Sequence, residues 1–336
     1  MSVLKIHLSY QCTAQCAHCR FGCDPLPKPV INADLALMCV QELRRLNDLQ
    51  LVVLMGGEPG LFPELTHCLA GKVSELGLDV RVETNAFWAA SDQAAVGFLA
   101  PLFEVGASVM YSLDAFHEPY VSPANVERAI RASDALGGRY NVEMPYLDHT
   151  SHHDLLDQRT DTVLRELERR LGRTPCCAIY QGNVFFAGRA ASRLAPRVAS
   201  GRGVPNVVCD SVPWWANGHL ETLDLLILDA EGYLSKGCGI AIGNVHQKPI
   251  MSIVKSYDAH EHPIFATLLE SGPLGLAREA TELGYLLKSD YADRCHLCQE
   301  ARQTLRARYP EYLVPAQHYE PSEPDGVAGK DRRQQL

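Results

Sequence analysis

The sequence predicts an α/β fold: a parallel sheet with helical crossovers, followed by a small second domain. Three features of the 336-residue chain carry that expectation. Strand-length apolar runs alternate with helix-length segments between residues 3 and 186, which implies parallel strands joined by right-handed connections. The chain is 46% hydrophobic and longer than one small core requires. Beyond residue 190 the periodicity lapses into a stretch rich in Pro, Gly, Ala and Arg.

In order, residues 3–8 read as a strand. Residues 33–48 read as a helix capped by Asn32, with Leu35, Met38, Val40, Leu43 and Leu46 on its apolar stripe. Residues 51–54 form a buried strand that ends in the turn MGGEPG. Then come helix 63–76, strand 78–83, helix 92–102, strand 106–112, helix 123–136, strand 139–144, helix 152–171 and strand 178–186. Residues 223–229 and 232–238 read as a strand pair around the turn Asp229–Ala230–Glu231–Gly232. Helices at about 261–270, 274–288 and 298–308 follow. The expected division is 1–194, 195–312 and a polar, Pro/Gly-rich tail at 313–336, expected to be disordered.

Composition narrows the functional classes. A net charge of −9 and no basic concentration argue against nucleic acid, and are weakly compatible with a cationic substrate. The start lacks the pattern of a signal peptide, and no apolar run reaches the ~18 residues of a membrane span. The expectation is therefore a cytoplasmic protein. There thiols stay reduced, and twelve cysteines read as metal ligands or reactive groups.

Cys12, Cys16 and Cys19 form C-x3-C-x2-C just after the first strand. In parallel α/β folds chemistry sits where strands end. Three readings of the thiols stand open: zinc with His18 as an awkward fourth ligand, a disulfide disfavoured by compartment, or a [4Fe–4S] cluster with one iron left open. The turn after the second strand is Gly56, Gly57, Glu58 and Pro59, 37 residues beyond Cys19. Together these resemble the radical S-adenosylmethionine (SAM) enzymes, over roughly residues 3–190.

That resemblance implies a partial (β/α)6 TIM-like barrel whose three cysteines hold the catalytic cluster. It implies that His18 lies near the adenine and that the Gly-Gly-Glu-Pro turn binds SAM's amino group. Glycines there would let backbone approach the ligand. Thr84 and Asn85 are implied to line the site. Ser112 and Asp114 are implied to contact SAM or substrate, and His117 and Glu118 to face the substrate. Arg189 is implied to pair with the SAM carboxylate. Local alternatives are a turn or cap for Asn85, strand-end satisfaction for Ser112 and a surface cation at Arg189.

Cys209, Cys238, Cys295 and Cys298 form a second set. With the Asp-x-x-Gly hairpin, Ile-Gly-Asn and a late C-x2-C, they resemble the twitch domain, the short form of the SPASM extension. The implied occupant is one auxiliary [4Fe–4S] cluster; structural zinc is the alternative. Of the rest, Cys39 and Cys68 are expected to be buried and inert, Cys23 incidental, and Cys176 and Cys177 distant from the site mouth. Three histidines in LDHTSHHD (147–154) read as a solvated loop, or as substrate or metal contacts. Trp214 and Trp215 read as core, or as a pocket wall.

The implied chemistry is reductive SAM cleavage and hydrogen abstraction from a small polar molecule: a sugar, aminocyclitol or nucleoside intermediate of natural-product biosynthesis. Two-electron oxidation is the favoured outcome, with epimerisation the runner-up. The barrel begins at residue 3, which leans away from a leader-binding module, though a short peptide stays open. An electron donor such as flavodoxin or ferredoxin is implied. The contrasting classes are a non-enzymatic metal scaffold and a maturase acting on a protein partner.

Overall fold

The structure is a computed structural model that describes residues 2–46, 49–175, 177–210 and 219–319. Its centre is a nine-stranded sheet. Its first six strands run parallel: β1 (Val3–His7), β2 (Leu51–Met55), β3 (Asp79–Thr84), β4 (Ser108–Ser112), β5 (Arg139–Tyr146) and β6 (Ile179–Asn183). Between them run α1 (Ala33–Arg44), α2 (Pro63–Glu75), α3 (Asp92–Glu104), α4 (Pro123–Ala135) and α5 (Leu155–Leu171). Strands β1 and β6 lie at different places in the sheet order, yet both line one cavity. The sheet therefore curls around it as an open, partial (β/α)6 barrel.

Local chemistry sets the helix limits. Asn32 accepts from the Leu35 N–H at 2.9 Å and starts α1 where expected. Helix α5 begins at Leu155, three residues later than its pattern suggests. Asp154 caps it, and the buried Asp157 carboxylate accepts the N–H groups of Leu147 (2.6 Å) and Asp148 (3.0 Å), holding the preceding loop out of the helix. Strand β6 is shorter than expected: after Asn183 the chain turns inward, and Val184 and Phe186 are buried.

After β6 come two short helices, α6 (Arg189–Arg193) and α7 (Ala195–Val198). Strand β7 (Leu225–Leu228) then joins the free edge of β1 in parallel, with Leu4 beside Leu226. All four β7 residues are apolar and buried, so the strand is completed on both edges. Antiparallel β8 (Tyr233–Ser235) and β9 (Ala241–Asn244) continue the sheet, followed by α8 (Ile250–Lys255), α9 (Pro263–Thr281) and α10 (Arg294–Leu305). Helix α9 is broken at Gly272 (φ 63°), followed by Pro273, so the expected pair of helices is two segments across a kink. A Cβ at Gly272 would lie 2.0 Å from the Val207 carbonyl oxygen. The kink thus admits the chain leading to Cys209, whose N–H donates to the Leu268 carbonyl at 2.9 Å.

One core fills the space between the sheet and α1–α5, and a second gathers around α9 and α10. The lumen face of the barrel is different. Lys5 and His7 on β1, Glu83 on β3 and Glu143 on β5 alternate with core residues. No helix of the described residues is long and apolar enough to cross a membrane.

Two ties dominate the strand ends. The Gly57 N–H donates to the Ser9 carbonyl at 2.7 Å, and a Cβ at Gly57 would lie 1.9 Å from the Gln11 carbonyl oxygen. Gly57→Ala should therefore cost about 3 kcal/mol or more, since backbone cannot yield as a side chain can. Gly71→Ala, inside α2 with open space around it, should gain about 0.5–1 kcal/mol. Urea unfolding of the two variants checks the contrast.

The second tie is Tyr10 Oη donating to Asp229 Oδ2 at 2.9 Å. Burial pushes the Asp229 carboxyl up to about 6, against the hydrogen bonds from Tyr233, Tyr10 and Glu231. An acid raised in the folded state binds its proton more tightly there than in the unfolded chain. Its contribution is present below pH ~4 and is lost as pH rises towards ~6. That loss is on the order of 2–3 kcal/mol. Asp229→Asn should flatten this part of the stability–pH profile in chemical denaturation between pH 4 and 7.

Candidate functional site

The cavity encloses about 200 Å³ at the C-terminal ends of β1–β6. The loop after β1 forms one wall. Cys12, Cys16, Cys19 and Cys23 all border the cavity. The loop is closed on itself, because the Cys12 N–H donates to the Asp24 carbonyl at 2.7 Å and the Cys19 N–H to the Cys16 carbonyl at 3.0 Å.

Arg189 holds this loop from behind. Its guanidinium donates to the carbonyls of Cys16 (3.1 Å) and Cys23 (2.8 Å), and its own N–H donates to the Cys19 carbonyl at 3.1 Å. The structure thus places Arg189, expected at the SAM carboxylate, on backbone oxygens of the cysteine loop.

The thiols differ electrostatically. The side-chain hydrogen bond with Cys23 holds Cys19 below the usual thiol range, against burial and with help from Arg189. Cys23 is pushed up by the same bond and by burial. Burial likewise raises Cys12, with Glu58 adding to it. Cys23, expected to be incidental, stands beside Cys19 at the cavity. The four-residue step from Cys19 to Cys23 was the available signal.

The Gly-Gly-Glu-Pro turn packs on the loop's other side. Gly56 and Gly57 border the cavity, but their missing side chains make room for backbone of the cysteine loop: a Cβ at Gly56 would lie 2.5 Å from the Ser9 carbonyl oxygen. Glu58, only 1% exposed, is turned away onto β3. Its carboxylate accepts from Thr84 Oγ1 (2.6 Å), the Asn85 N–H (2.8 Å) and the Gly60 N–H (2.8 Å). Burial raises its pKa, which these three bonds oppose. Pro59 is buried at the start of a short 3-10 turn.

Thr84, Asn85, Ser112 and His117 all border the cavity. Asn85 Nδ2 donates to Thr13 Oγ1 at 3.1 Å and approaches Cys12 Sγ at 3.9 Å. Asp114 lies behind His117, accepting its backbone N–H at 2.9 Å and facing its Nδ1 at 2.7 Å. Burial alone would push His117 down, but Asp114 and then Cys16 hold it well above the ordinary imidazole range. His18 stands edge-on to His117 with ring centroids 4.8 Å apart, and burial lowers it to about 4. Ligand atoms of Cys16, His18 and His117 lie within 4.8 Å of one another. Glu118 points elsewhere, paired with Arg159 (2.8 Å). The lumen adds Lys5, Glu83 and Glu143, whose signal was a charged residue alternating with apolar ones inside strands that should be buried on both faces.

The second cysteine set also converges. Cys209, Cys238, Cys295 and Cys298 border a tight cavity of about 20 Å³, with Arg294 and Arg302. Burial pushes Cys209 up to about 12, with Cys298 adding and Arg294 opposing. Burial also raises Cys238 and Cys295. Arg302, 1% exposed, donates to the carbonyls of Cys238 and Cys298 and to Tyr319 Oη. Phe185 borders both cavities. Arg20 donates to the Gly237 carbonyl at 2.9 Å, spanning from the residue after Cys19 to the one before Cys238.

Other expectations resolve locally. His152 stacks on Tyr146 at 4.3 Å, with its Nδ1 2.8 Å from Asp161 Oδ2, and His149 Nδ1 lies 2.7 Å from Asn183 Oδ1. Cys39 is buried as expected, whereas Cys68 is exposed, because it falls on the solvent side of α2. Cys177 is half-buried before β6. Of the tail expected at 313–336, residues 313–319 are packed on the C-terminal part, with Leu313, His318 and Tyr319 buried, while Cys176, Trp214, Trp215 and residues 320–336 lie outside the described residues.

No family model matches the chain, and no curated protein matches it in sequence. Solved structures resemble it. Streptococcus suis SuiB bound to S-adenosylmethionine has 11% identity and a TM-score of 0.45, covering 75% of this chain and 64% of that one. BtrN in complex with AdoMet and 2-DOIA has 13% identity and a TM-score of 0.46, covering 81% and 89%. Methylornithine synthase (PylB) has 17% identity and a TM-score of 0.38, covering 55% and 53%. The chain therefore spans less than two thirds of the first and third of these structures. At these scores the likenesses carry no inference about chemistry.

The loop clamp is testable. Arg189→Met removes two charge-assisted bonds and orphans the carbonyls of Cys16 and Cys23, which should cost about 2–4 kcal/mol. A thiol reagent should label Cys16, Cys19 and Cys23 faster in the variant, read by peptide mass spectrometry.

Proposed function

We propose that the chain is a radical SAM enzyme acting on a small polar molecule, with a second iron–sulfur centre in its C-terminal part. One observation carries the reading: the C-x3-C-x2-C thiols converge on a cavity at the C-terminal mouth of six parallel strands.

The donor set fits a [4Fe–4S] cluster on Cys12, Cys16 and Cys19, since three thiols of one closed loop face one space and Cys19 is disposed towards thiolate. When bound together, cluster and SAM supply a 5′-deoxyadenosyl radical that takes a hydrogen atom from an unactivated C–H bond. The protein's part is placement and exclusion. Asp114 fixes the His117 ring at the cavity wall, Asn85 and Ser112 offer polar groups from β3 and β4, and Phe21 and Phe185 supply apolar walls.

The C-terminal thiols fit an auxiliary [4Fe–4S] cluster better than zinc. Four sulfurs at ~2.3 Å from one zinc ion would sit about 3.8 Å apart. Among the described residues, no three of these four sulfurs lie mutually within 4.8 Å. A fully ligated cluster there suits electron transfer, which favours two-electron oxidation of the substrate, with a flavodoxin or ferredoxin as electron donor. Epimerisation is the second reading. It is favoured by Cys23, a thiol at the cavity wall, and solvent deuterium in the product would mark it.

Anaerobic reconstitution with iron and sulfide, then reductant and SAM, tests the whole. The parent should hold about eight irons per chain and release 5′-deoxyadenosine; the triple variant Cys12→Ala, Cys16→Ala, Cys19→Ala should hold about four and release none. Zinc in place of iron, carried by Cys16, His18 and His117, would overturn the proposal.

A further inference from the structure

The floor of the main cavity is charged, although the core behind the same strands is apolar. Lys5, Glu83 and Glu143 come from β1, β3 and β5, and all three border the cavity. Strand alternation puts them on the lumen face, opposite the face that packs on the helices. Lys5 Nζ meets Glu83 Oε1 at 2.9 Å, so that carboxylate has its counter-charge. Glu143 has no direct partner: its side chain makes no hydrogen bond or ion pair with any described residue, and burial and then Glu83 raise its carboxyl while Lys5 and Arg20 oppose them from further off. Arg20 attracts the Glu143 carboxylate without bonding to it, its guanidinium donating to the Gly237 carbonyl at 2.9 Å and lying over the Phe21 ring at 4.1 Å. Asp114, a further charge within reach, is saturated by His117 and the Phe116 N–H. In the sheet register Glu143 stands beside Ser112, whose hydroxyl borders the same cavity.

A carboxylate without a partner in a half-enclosed space is costly unless what fills the space neutralises it. We propose that Glu143 is a substrate-binding residue that receives an ammonium group, with Ser112 beside it taking a hydroxyl, so that the cavity selects an amine-bearing polyhydroxylated substrate. This deepens the reading of the cavity as a radical SAM site and rests on it. A charge-assisted hydrogen bond of this kind is worth about tenfold or more in affinity over a neutral one.

The test uses the full, iron-loaded chain with SAM, and three matched probes: D-glucosamine, D-glucose and D-glucuronate. Binding is read by calorimetry. Glucosamine should bind about tenfold more tightly than glucose, and glucuronate more weakly than both. Glu143→Gln should erase the amine preference while leaving SAM affinity and iron content unchanged. Glu143→Asp, which keeps the charge, should retain the order of preference, so a mere folding defect is told apart.

Absence of an amine preference, a preference that survives Glu143→Gln, or a loss of SAM affinity in that variant would overturn the assignment. The last result would make Glu143 part of the SAM site. Failure of the underlying reading looks different: the parent would take up no iron and bind no SAM before any sugar is added.

Discussion

Everything at the site hangs on one close approach, that of the turn after β2 to the loop after β1. The Gly57 N–H reaches the Ser9 carbonyl at 2.7 Å, and the Glu58 N–H reaches the Gln11 carbonyl at 3.0 Å. Two glycines permit this, because any side chain there would occupy the space of the neighbouring main chain. The next residue extends the tie. Glu58 is buried with its carboxylate on Thr84 and Asn85, joining the end of β3 to the same turn. Asn85 then returns to the loop through Thr13 and Cys12. The ends of β1, β2 and β3 are thus fixed relative to one another by a closed circuit of bonds, and the cysteines inherit that rigidity.

A second set of contacts binds the C-terminal part to this circuit. Tyr10 reaches Asp229, Arg20 reaches Gly237, and a Cβ on Gly22 would lie 2.6 Å from the Gln317 carbonyl oxygen. The two cysteine sites therefore share structure: Phe185 walls both cavities, and Arg20 follows a thiol of one while touching the residue before a thiol of the other. The sheet itself runs through, since β7 pairs with β1. The two sites are thus joined by direct contacts and by a common sheet.

The repeating elements were legible because their periodicity follows from burial on one face or two, and caps such as Asn32 are local chemistry. The motif cysteines were legible because spacing within one loop survives folding. Tertiary choices were not. Gly56 and Gly57 read as room for a ligand; the structure sets both at the cavity and also uses their missing side chains to admit a neighbouring loop. Glu58 and Arg189 read as ligand groups, yet their hydrogen bonds go to β3 and to loop carbonyls. Whether a charge faces a cavity or serves the scaffold depends on residues far away in sequence. Cys23 and the lumen charges did leave a trace: a further cysteine four residues from Cys19, and acids where buried parallel strands should carry none.

Those lumen charges link fold to function. A parallel strand covered by helices gains most from apolar residues on both faces, so each charge on the inner face weakens the barrel it stands in. Lys5 and Glu83 limit that cost by pairing, and Asp114 limits it by its bonds to His117 and Phe116. The structure has thus given these buried charges a direct partner, from another strand for Lys5 and Glu83 and from its own loop for Asp114. Glu143 breaks the pattern, half-buried at the floor, beside the Ser112 hydroxyl. A scaffold that pairs its charges this consistently leaves one open where the missing partner arrives from solution, and the position of that carboxylate gives the guest's polar end a place opposite the cysteine loop.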